Sequence, residues 1–133
     1  MNVLHVFVDG MPKAQPRCRR SRNGGVYTPH SSDAWKRNIA VAVCGWRHLP
    51  LNEPLGLSLE FSLPRPQRLG PGDRLPHTGK PDVDNLAKAV MDVLARSKIV
   101  RDDALFWRVD AEKYYAPSAG RTGCLIIVTT STP

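Results

Sequence analysis

Two aspartates and a lysine stand close together near the middle of the chain, where a helix is predicted to begin. Asp82, Asp84 and Lys88 directly follow Lys80-Pro81. A proline pushes the residue before it toward extended backbone, so the helix should start at or just after Pro81, with Asp82 or Asp84 as its cap. Residues four apart drift by only about 40° around a helix, so Asp84, Lys88 and Asp92 should share one polar face.

A second acidic pair, Asp102-Asp103, follows this helix at the start of a predicted strand. Residues 105–112 alternate between apolar and polar side chains, which is the period of a strand with one buried face. Hard cations such as Mg²⁺ prefer carboxylate oxygens, completed by water and by substrate phosphate oxygens. If the helix start and the strand start converge in the fold, their aspartates can supply a metal site.

Each of these residues also has a purely structural interpretation. When the helix is considered without Asp102-Asp103, that interpretation is the favoured one. Aspartates in a first helical turn complement the helix dipole and cap free N–H groups. An Asp four residues before a Lys, as in Asp84 and Lys88, is an ordinary helical ion pair. The separate pair Asp102-Asp103 is the observation that favours a metal site.

The residue types and their spacing match the motif of a known family. The central segment, roughly residues 80 to 113, resembles the RusA-type Holliday junction resolvases, which are small endodeoxyribonucleases of bacteria and their prophages. The matching positions are Asp82-Val83-Asp84-Asn85-Leu86, Lys88, Asp92 and Asp102-Asp103-Ala104, with looser matches at Pro16-Arg17, Val26-Tyr27-Thr28-Pro29 and Lys113.

The resemblance implies roles for individual residues. Asp82, Asp84 and Asp103 would be the catalytic metal ligands, with Asp102 as an additional candidate, and Lys88 would be needed for cleavage. The implied enzyme is an Mg²⁺-dependent, structure-selective endodeoxyribonuclease, with Mn²⁺ as an alternative cofactor. It would resolve four-way (Holliday) DNA junctions by paired symmetric nicks in recombination and repair.

A homodimer is also implied, since a four-way junction has two-fold symmetry and a resolvase cuts two of its strands. The apolar C-terminal strand and the helix face around Val93 and Leu94 are the candidate interfaces. Two other functions stay open: a non-catalytic basic DNA-binding module, in which the aspartates are caps and ion-pair partners, and a nuclease acting on other branched DNA such as flaps or forks.

The net charge of +7 is distributed unevenly along the 133 residues. Residues 1–81 contain 12 Lys or Arg and five Asp or Glu, whereas residues 82–133 contain seven of each. All the excess positive charge therefore precedes the acidic motif. This asymmetry is typical of a protein whose flanks attract phosphate while its centre stays acidic enough for a cation.

Two segments concentrate the basic residues. One is a basic loop at about 11–30, and the other is a Pro/Arg-rich loop at about 64–81 that has no helix or strand periodicity. Both favour nucleic acid as the partner, although each arginine could also be an ordinary solvated side chain. The candidate DNA contacts are Arg17, Arg19, Arg20, Arg65, Arg68, Arg74 and Lys80, together with Lys113 from the family resemblance.

The remaining sequence predicts a scaffold, a single RusA-like endonuclease domain over residues 1–133. We expect an α+β fold with the element order β-α-β-α-β-β, in which helices cover a mixed sheet. Trp35, Trp46 and Trp107 are expected to pack in the core rather than to stack on bases.

The cysteines and the hydropathy pattern exclude several classes of protein. Cys18, Cys44 and Cys124 are odd in number and lack CxxC spacing, so we expect free thiols and neither a disulfide framework nor a structural zinc site. No apolar run approaches the length of a membrane span, and Asp9 interrupts the segment where a secretory signal would continue. The expectation is a cytoplasmic protein without a membrane partner.

Overall fold

The predicted periodicities correspond to two helices packed on one face of a mixed sheet. This computed structural model describes residues 1–46, 48–118 and 120–131. Its elements are β1 (Asn2–Asp9), β2 (Arg19–Arg20), β3 (Val26–Tyr27), α1 (Asp33–Val43), β4 (Leu55–Leu63), β5 (Leu75–Pro76), α2 (Val83–Arg96), β6 (Phe106–Tyr115) and β7 (Gly123–Thr130). Apart from the two-residue strands β2, β3 and β5, this is the predicted order, and the α+β prediction is confirmed.

The order of strands in the sheet determines where the ends of α2 lie. Five strands are arranged as β1-β7-β4-β6-β5, and β2 and β3 form a separate hairpin. Strands β4 and β6 are parallel and are connected through α2. In such a β-α-β unit the helix begins near the C-terminal ends of the strands and runs back toward their N-terminal ends. The start of α2 and the start of β6 therefore lie at opposite ends of the unit.

The core lies between the helices and one face of the sheet. Strand β4 alternates along its whole length, with every second residue buried from Leu55 to Leu63. Trp35 of α1 is 2% exposed and is among the largest buried side chains. The apolar stripe predicted for α2 is confirmed, since its buried residues are Leu86, Ala87, Ala89, Val90, Val93 and Leu94.

The structure shows how the two candidate dimer interfaces proposed from the sequence are packed within one chain. Strand β7 is an interior strand that pairs with β1 on one side and β4 on the other. Val93 and Leu94 are 4% and 0% exposed, because they pack in the core. Both edges of β7 and the side chains of Val93 and Leu94 are therefore occupied within the chain, and the position of the dimer interface stays a prediction.

The expected burial of Trp107 is also wrong. Its side chain is 66% exposed, and that of Val109, two residues further along β6, is 40% exposed. The alternating pattern of β6 correctly predicts a strand, but β6 lies near the edge of the sheet, where β5 covers only its last two residues. At an edge position apolar side chains remain exposed to water, whereas the same alternating pattern in a central strand would bury them.

The described residues bear on two expectations from the sequence, which are free cysteine thiols and the lack of a membrane-spanning helix. Cys18, Cys44 and Cys124 are all free thiols, and burial raises the pKa of the Cys124 thiol. Within the described ranges, no helix combines the length and the apolar character needed to cross a membrane.

Candidate active site

Asp82 occupies the N-cap position of α2 without acting as a cap. Its backbone is extended, with φ −71° and ψ 144°, but its side chain makes no capping hydrogen bond. Its carboxylate Oδ2 lies 3.5 Å from Lys80 Nζ, and 48% of the side chain is exposed. A pair this exposed contributes little to stability, so the carboxylate stays available to a ligand.

Asp84 and Lys88 are both exposed on the polar face of α2. Within the described residues their side chains make no ion pair or hydrogen bond with each other or with any other group. The ordinary helical ion pair considered from the sequence is therefore absent. One carboxylate and one ammonium group are left unpaired one helical turn apart.

Asp92, whose role the sequence left open, connects the two helices. Its Oδ2 accepts from Lys36 Nζ of α1 at 3.0 Å and lies 3.2 Å from Arg96 Nε, one turn along α2. The Lys36 side chain is only 13% exposed. Sequence analysis missed Lys36 because 56 residues separate it from Asp92, and no local pattern relates them.

Asp103 begins a 3-10 turn, Asp103–Leu105, directly before β6, and Asp102 is the N-cap of this turn. Asp102 Oδ1 accepts a hydrogen bond from the Ala104 N–H at 2.8 Å. The pKa of the Asp103 carboxyl is raised, first by burial, then by a hydrogen bond with Asp102 and by the negative charges of Asp102 and Asp92. Carboxylates that repel one another in this way form a local environment that a bound cation would stabilise.

The candidate acidic ligands form two separate groups in one chain: Asp82 and Asp84 at the start of α2, and Asp102 and Asp103 before β6. Asp84 lies in the first turn of α2. Asp103 is within electrostatic range of Asp92, which lies eight residues after Asp84, or about 12 Å along the helix axis. Among the described residues, no three His, Cys, Asp or Glu side chains are close enough together to hold a metal ion. The oxygen donors suit Mg²⁺ by type, and the metal set Asp82, Asp84 and Asp103 stays a prediction.

Lys113 connects β6 to the segment that leads into α2. Its Nζ donates to the Pro81 carbonyl at 2.8 Å and also to the Gly79 carbonyl. Two of its three N–H donors therefore position the backbone directly before Asp82. The DNA contact predicted for Lys113 stays a prediction, and this structural role was not foreseen.

An open pocket of about 480 Å³ lies beside Asp82. Its lining includes Met11, Lys13 and His77, which the motif did not identify, together with Asn85 of the motif. His77 Nδ1 is buried without a hydrogen-bond partner in the described structure. Burial, and then the charge of Lys113, lowers the pKa of the His77 imidazole. Both causes favour the neutral form of the imidazole.

The basic loop is anchored to the same helix start. The Gln15 N–H donates to the Asn85 carbonyl at 2.9 Å, which holds the base of the loop against the first turn of α2. Further along, β2 and β3 close a hairpin in which Arg19 pairs with Tyr27. Arg17, Arg19 and Arg20 are exposed. The structure thus holds the base of the basic loop at the acidic start of α2, where Lys13 and Asp82 line the same pocket.

The arginines of the Pro/Arg-rich loop differ in their contacts. Arg65 donates to the Gly70 and Asp73 carbonyls at 2.7 Å each, so it holds the loop together. Arg74 pairs with Glu60 at 2.8 Å and stacks over the Tyr114 ring at 4.0 Å. Arg68 and Lys80 are exposed. DNA binding by these four residues stays a prediction, and Arg65 and Arg74 have structural partners in addition.

Comparison with known proteins identifies the family. The family model described as Endodeoxyribonuclease RusA matches residues 9–126, which include every acidic residue of the site. The chain is also 30% identical over 131 residues to the uncharacterized protein YqaN of Bacillus subtilis (strain 168), covering 87% of this chain and 90% of that protein. The chain therefore belongs to the RusA family of endodeoxyribonucleases.

Proposed function

We propose that this protein is an Mg²⁺-dependent endodeoxyribonuclease that resolves four-way DNA junctions by paired symmetric nicks, acting as a homodimer in recombination and repair. Membership of the RusA family supports cleavage of junctions. The observation that carries the proposal is the start of α2, where the Asp82 carboxylate caps no helix and Asp84 and Lys88 have no described partner.

The chemistry can be assigned to residues of this chain. Asp82, Asp84 and Asp103 would hold the metal, with Asp102 beside them. When bound, Mg²⁺ lowers the pKa of a water molecule and stabilises negative charge at the scissile phosphate. Lys88 would donate to a non-bridging phosphate oxygen or orient the attacking water, as a compact cation can.

DNA binding is proposed for the exposed cations around the site. Arg17, Arg19 and Arg20 extend from the basic loop that Gln15 anchors to α2. Lys80 and Arg68 add exposed positive charge from the Pro/Arg-rich loop. Phosphate contacts of this kind supply most of the affinity and fix the register of DNA, but they do not read its sequence.

The main alternative, a DNA-binding module without catalysis, is less well supported. It requires the aspartates of α2 to act as a cap and an ion-pair partner. Asp82 makes no capping hydrogen bond, and Asp84 has no ion pair among the described residues. Asp92 fits that interpretation through Lys36 and Arg96, whereas Asp82 has only the exposed pair with Lys80.

The decisive experiment compares a mobile four-way junction with a fork and a linear duplex, each in Mg²⁺ and in EDTA. We expect symmetric nicks in the junction, and a loss of about 100-fold or more in rate for Asp82→Asn or Asp84→Asn at unchanged junction binding. Asp73→Asn, an exposed carboxylate in the Pro/Arg-rich loop, is the matched control and should cut normally.

Each alternative has its own result in this experiment. If the wild type cuts nothing, the protein is a binding module. If Asp82→Asn and Asp84→Asn both cut normally, these aspartates are not the metal ligands of the reaction. If forks are cut as fast as junctions, it is a nuclease for branched DNA in general.

A further inference from the structure

We propose that one face of the β2–β3 hairpin, formed by Arg19 and Tyr27, holds a nucleotide whose base has lost a stacking neighbour at the branch point of the DNA. The Tyr27 ring would stack on that base, and the Arg19 guanidinium would bond to a phosphate of the same strand. DNA as the ligand rests on the proposed function. The contact itself would let the protein distinguish branched DNA from an intact duplex.

Tyr27 is an aromatic residue whose side chain has no structural contact of its own. It is 49% exposed. Among the described residues, its ring takes part in no aromatic pair or cation–π contact, and its hydroxyl in no hydrogen bond. A tyrosine ring carries a large apolar surface, and covering that surface is favourable. The ring is therefore available to a ligand.

The register of the hairpin places a cation beside this ring. Arg19 pairs with Tyr27, and Arg20 pairs with Val26. Residues directly opposite each other in an antiparallel pair share a face, with Cβ atoms about 5 Å apart, whereas neighbours along a strand point to opposite faces. One face of the hairpin therefore carries Arg19 and Tyr27, and the other carries Arg20 and Val26.

An arginine and a tyrosine side by side match the two parts of a nucleotide. A guanidinium bonds to phosphate oxygens, and an aromatic ring stacks on a base. The Arg19 side chain is exposed and has no ion pair within the described structure. On the opposite face Val26 is 71% exposed but offers no ring for stacking. The Arg19–Tyr27 face is therefore the one that fits a nucleotide.

An intact duplex offers no free base face to the Tyr27 ring. Each base inside a duplex is covered on both sides by its neighbours, so a side chain can stack there only after a base step has been opened, at a cost in free energy. At a branch point the stacking is already interrupted. Stacking on Tyr27 should therefore strengthen binding to branched DNA more than binding to linear duplex.

The anchoring of the basic loop limits where on the DNA this contact can lie. The Gln15 N–H bonds to the Asn85 carbonyl at the first turn of α2. The four residues from Gln15 to Arg19 span at most about 14 Å, and the step across to Tyr27 adds about 5 Å. This reach is shorter than one helical turn of DNA, about 34 Å. The stacked base should lie within one turn of the phosphate that is cut at the start of α2.

The first test compares affinities for an immobile four-way junction and a linear duplex, in EDTA so that nothing is cut. Tyr27→Leu keeps an apolar side chain but removes the ring, so the affinity for the junction should fall about tenfold while that for the duplex changes less than about twofold. Tyr27→Phe keeps the ring and should bind as the wild type does. Val26→Ala, on the opposite face, is the matched control and should also bind normally.

An exchange of two neighbouring residues tests the assignment to one face. In the double variant Val26→Tyr, Tyr27→Val the composition and charge are unchanged, but the ring moves to the face of Arg20. We expect the same loss of junction affinity as for Tyr27→Leu. If the exchanged variant binds junctions as tightly as the wild type, or if Tyr27→Leu weakens junction and duplex binding equally, the proposed contact is wrong.

Photocross-linking locates the base and needs only the wild-type protein, so it does not depend on how the variants fold. 5-Iodouracil, which forms photoadducts with aromatic rings stacked on it, replaces one thymine at a time around the branch point. One position should cross-link to Tyr27 in the junction and not in the linear duplex, as identified by mass spectrometry. No cross-link to Tyr27 at any position, or an equal cross-link in the duplex, overturns the proposed contact.

The outcomes separate this contact from the proposed function, because neither binding nor cross-linking requires cleavage. A cross-link to Tyr27 in the junction, beside a wild type that cuts no DNA in Mg²⁺, supports the contact and contradicts the nuclease function. A wild type that resolves junctions without any cross-link to Tyr27 overturns the contact and supports the nuclease function.

Discussion

At the scale of single residues, the site contains groups that the fold leaves without a structural function. Asp84 and Lys88 have no described partner, and the Asp82 side chain caps no N–H group. Asp92, on the same helix, is fully paired with Lys36 and Arg96. The contrast distinguishes a helix-connecting carboxylate from those available to a ligand.

Asp103 should destabilise the metal-free protein at neutral pH. Its pKa in the fold is raised above the ordinary value of 3.8, so the fold favours the protonated form, and stability is lost as the pH rises through the raised pKa. Asp103→Asn should therefore increase the free energy of unfolding at pH 7, by about 0.5 kcal/mol, since solvent screens this exposed site. The difference should shrink as the pH falls toward 3.8.

Urea denaturation of wild type and variant, in EDTA at several pH values, measures this effect. Asp73→Asn controls for the general loss of one negative charge. A variant that is less stable than the wild type at pH 7 would contradict the assigned repulsion.

Lys88 should act in the reaction and not in folding. Because its ammonium group has no described partner, Lys88→Ala should change stability by less than about 0.5 kcal/mol, while the cleavage rate falls by roughly 100-fold at saturating junction. Lys88→Arg, which keeps the charge, should recover part of the rate. Single-turnover cleavage at matched binding measures both, and an undiminished rate for Lys88→Ala would leave this lysine without a catalytic role.

At the scale of elements, the segment before α2 is positioned from three sides. Lys113 of β6 holds the Gly79 and Pro81 carbonyls, and the base of the basic loop bonds to Asn85. The Lys36–Asp92 pair joins α2 to α1. The helix start is thus held by elements distant in sequence, which suits a site that must keep its carboxylates in place.

Lys113→Met separates a positioning role from a DNA contact. Losing two hydrogen bonds to the backbone before Asp82 should weaken Mn²⁺ binding in the absence of DNA by about ten- to a hundredfold. Calorimetric titration measures this directly. If Mn²⁺ affinity is unchanged and the salt dependence of junction binding falls by about one phosphate contact, Lys113 is a DNA contact and not a positioning residue.

At the scale of the whole molecule, the uneven charge sets how DNA binding depends on salt. Arg19 and Arg20 are exposed on the hairpin of the basic loop. Replacing both with Ala should reduce the slope of log K against log salt by about two, because each lost phosphate contact removes about 0.9 from it. Arg37→Ala, on the exposed side of α1, is the control: it removes one positive charge, against two in the double variant, and should leave the slope unchanged. Equal slopes for the double variant and the wild type would exclude the hairpin from the DNA interface.

The order of the elements and the start of α2 could be predicted because each depends on local patterns. A proline followed by acidic residues and a 3.6-residue apolar period predicts the helix near Asp82, and alternation predicts β4 and β6. The motif placed the candidate ligands on these elements. The exposure of Trp107 and the interior position of β7 could not be predicted, because the same alternation occurs in central and edge strands.

What the sequence determined by itself is therefore the predicted chemistry: which carboxylates, which lysine and which basic segments are the candidates for the site. Only the tertiary structure decided where these groups lie. Strand order and contacts such as Lys36–Asp92 and Lys113–Pro81 join residues 32 to 56 positions apart, and no local period encodes them. The physical reason is that long-range pairing depends on how whole faces pack. Here that packing places Asp103 just before the start of β6 and Asp82 beside its other end, where Lys113 bonds to the Pro81 carbonyl.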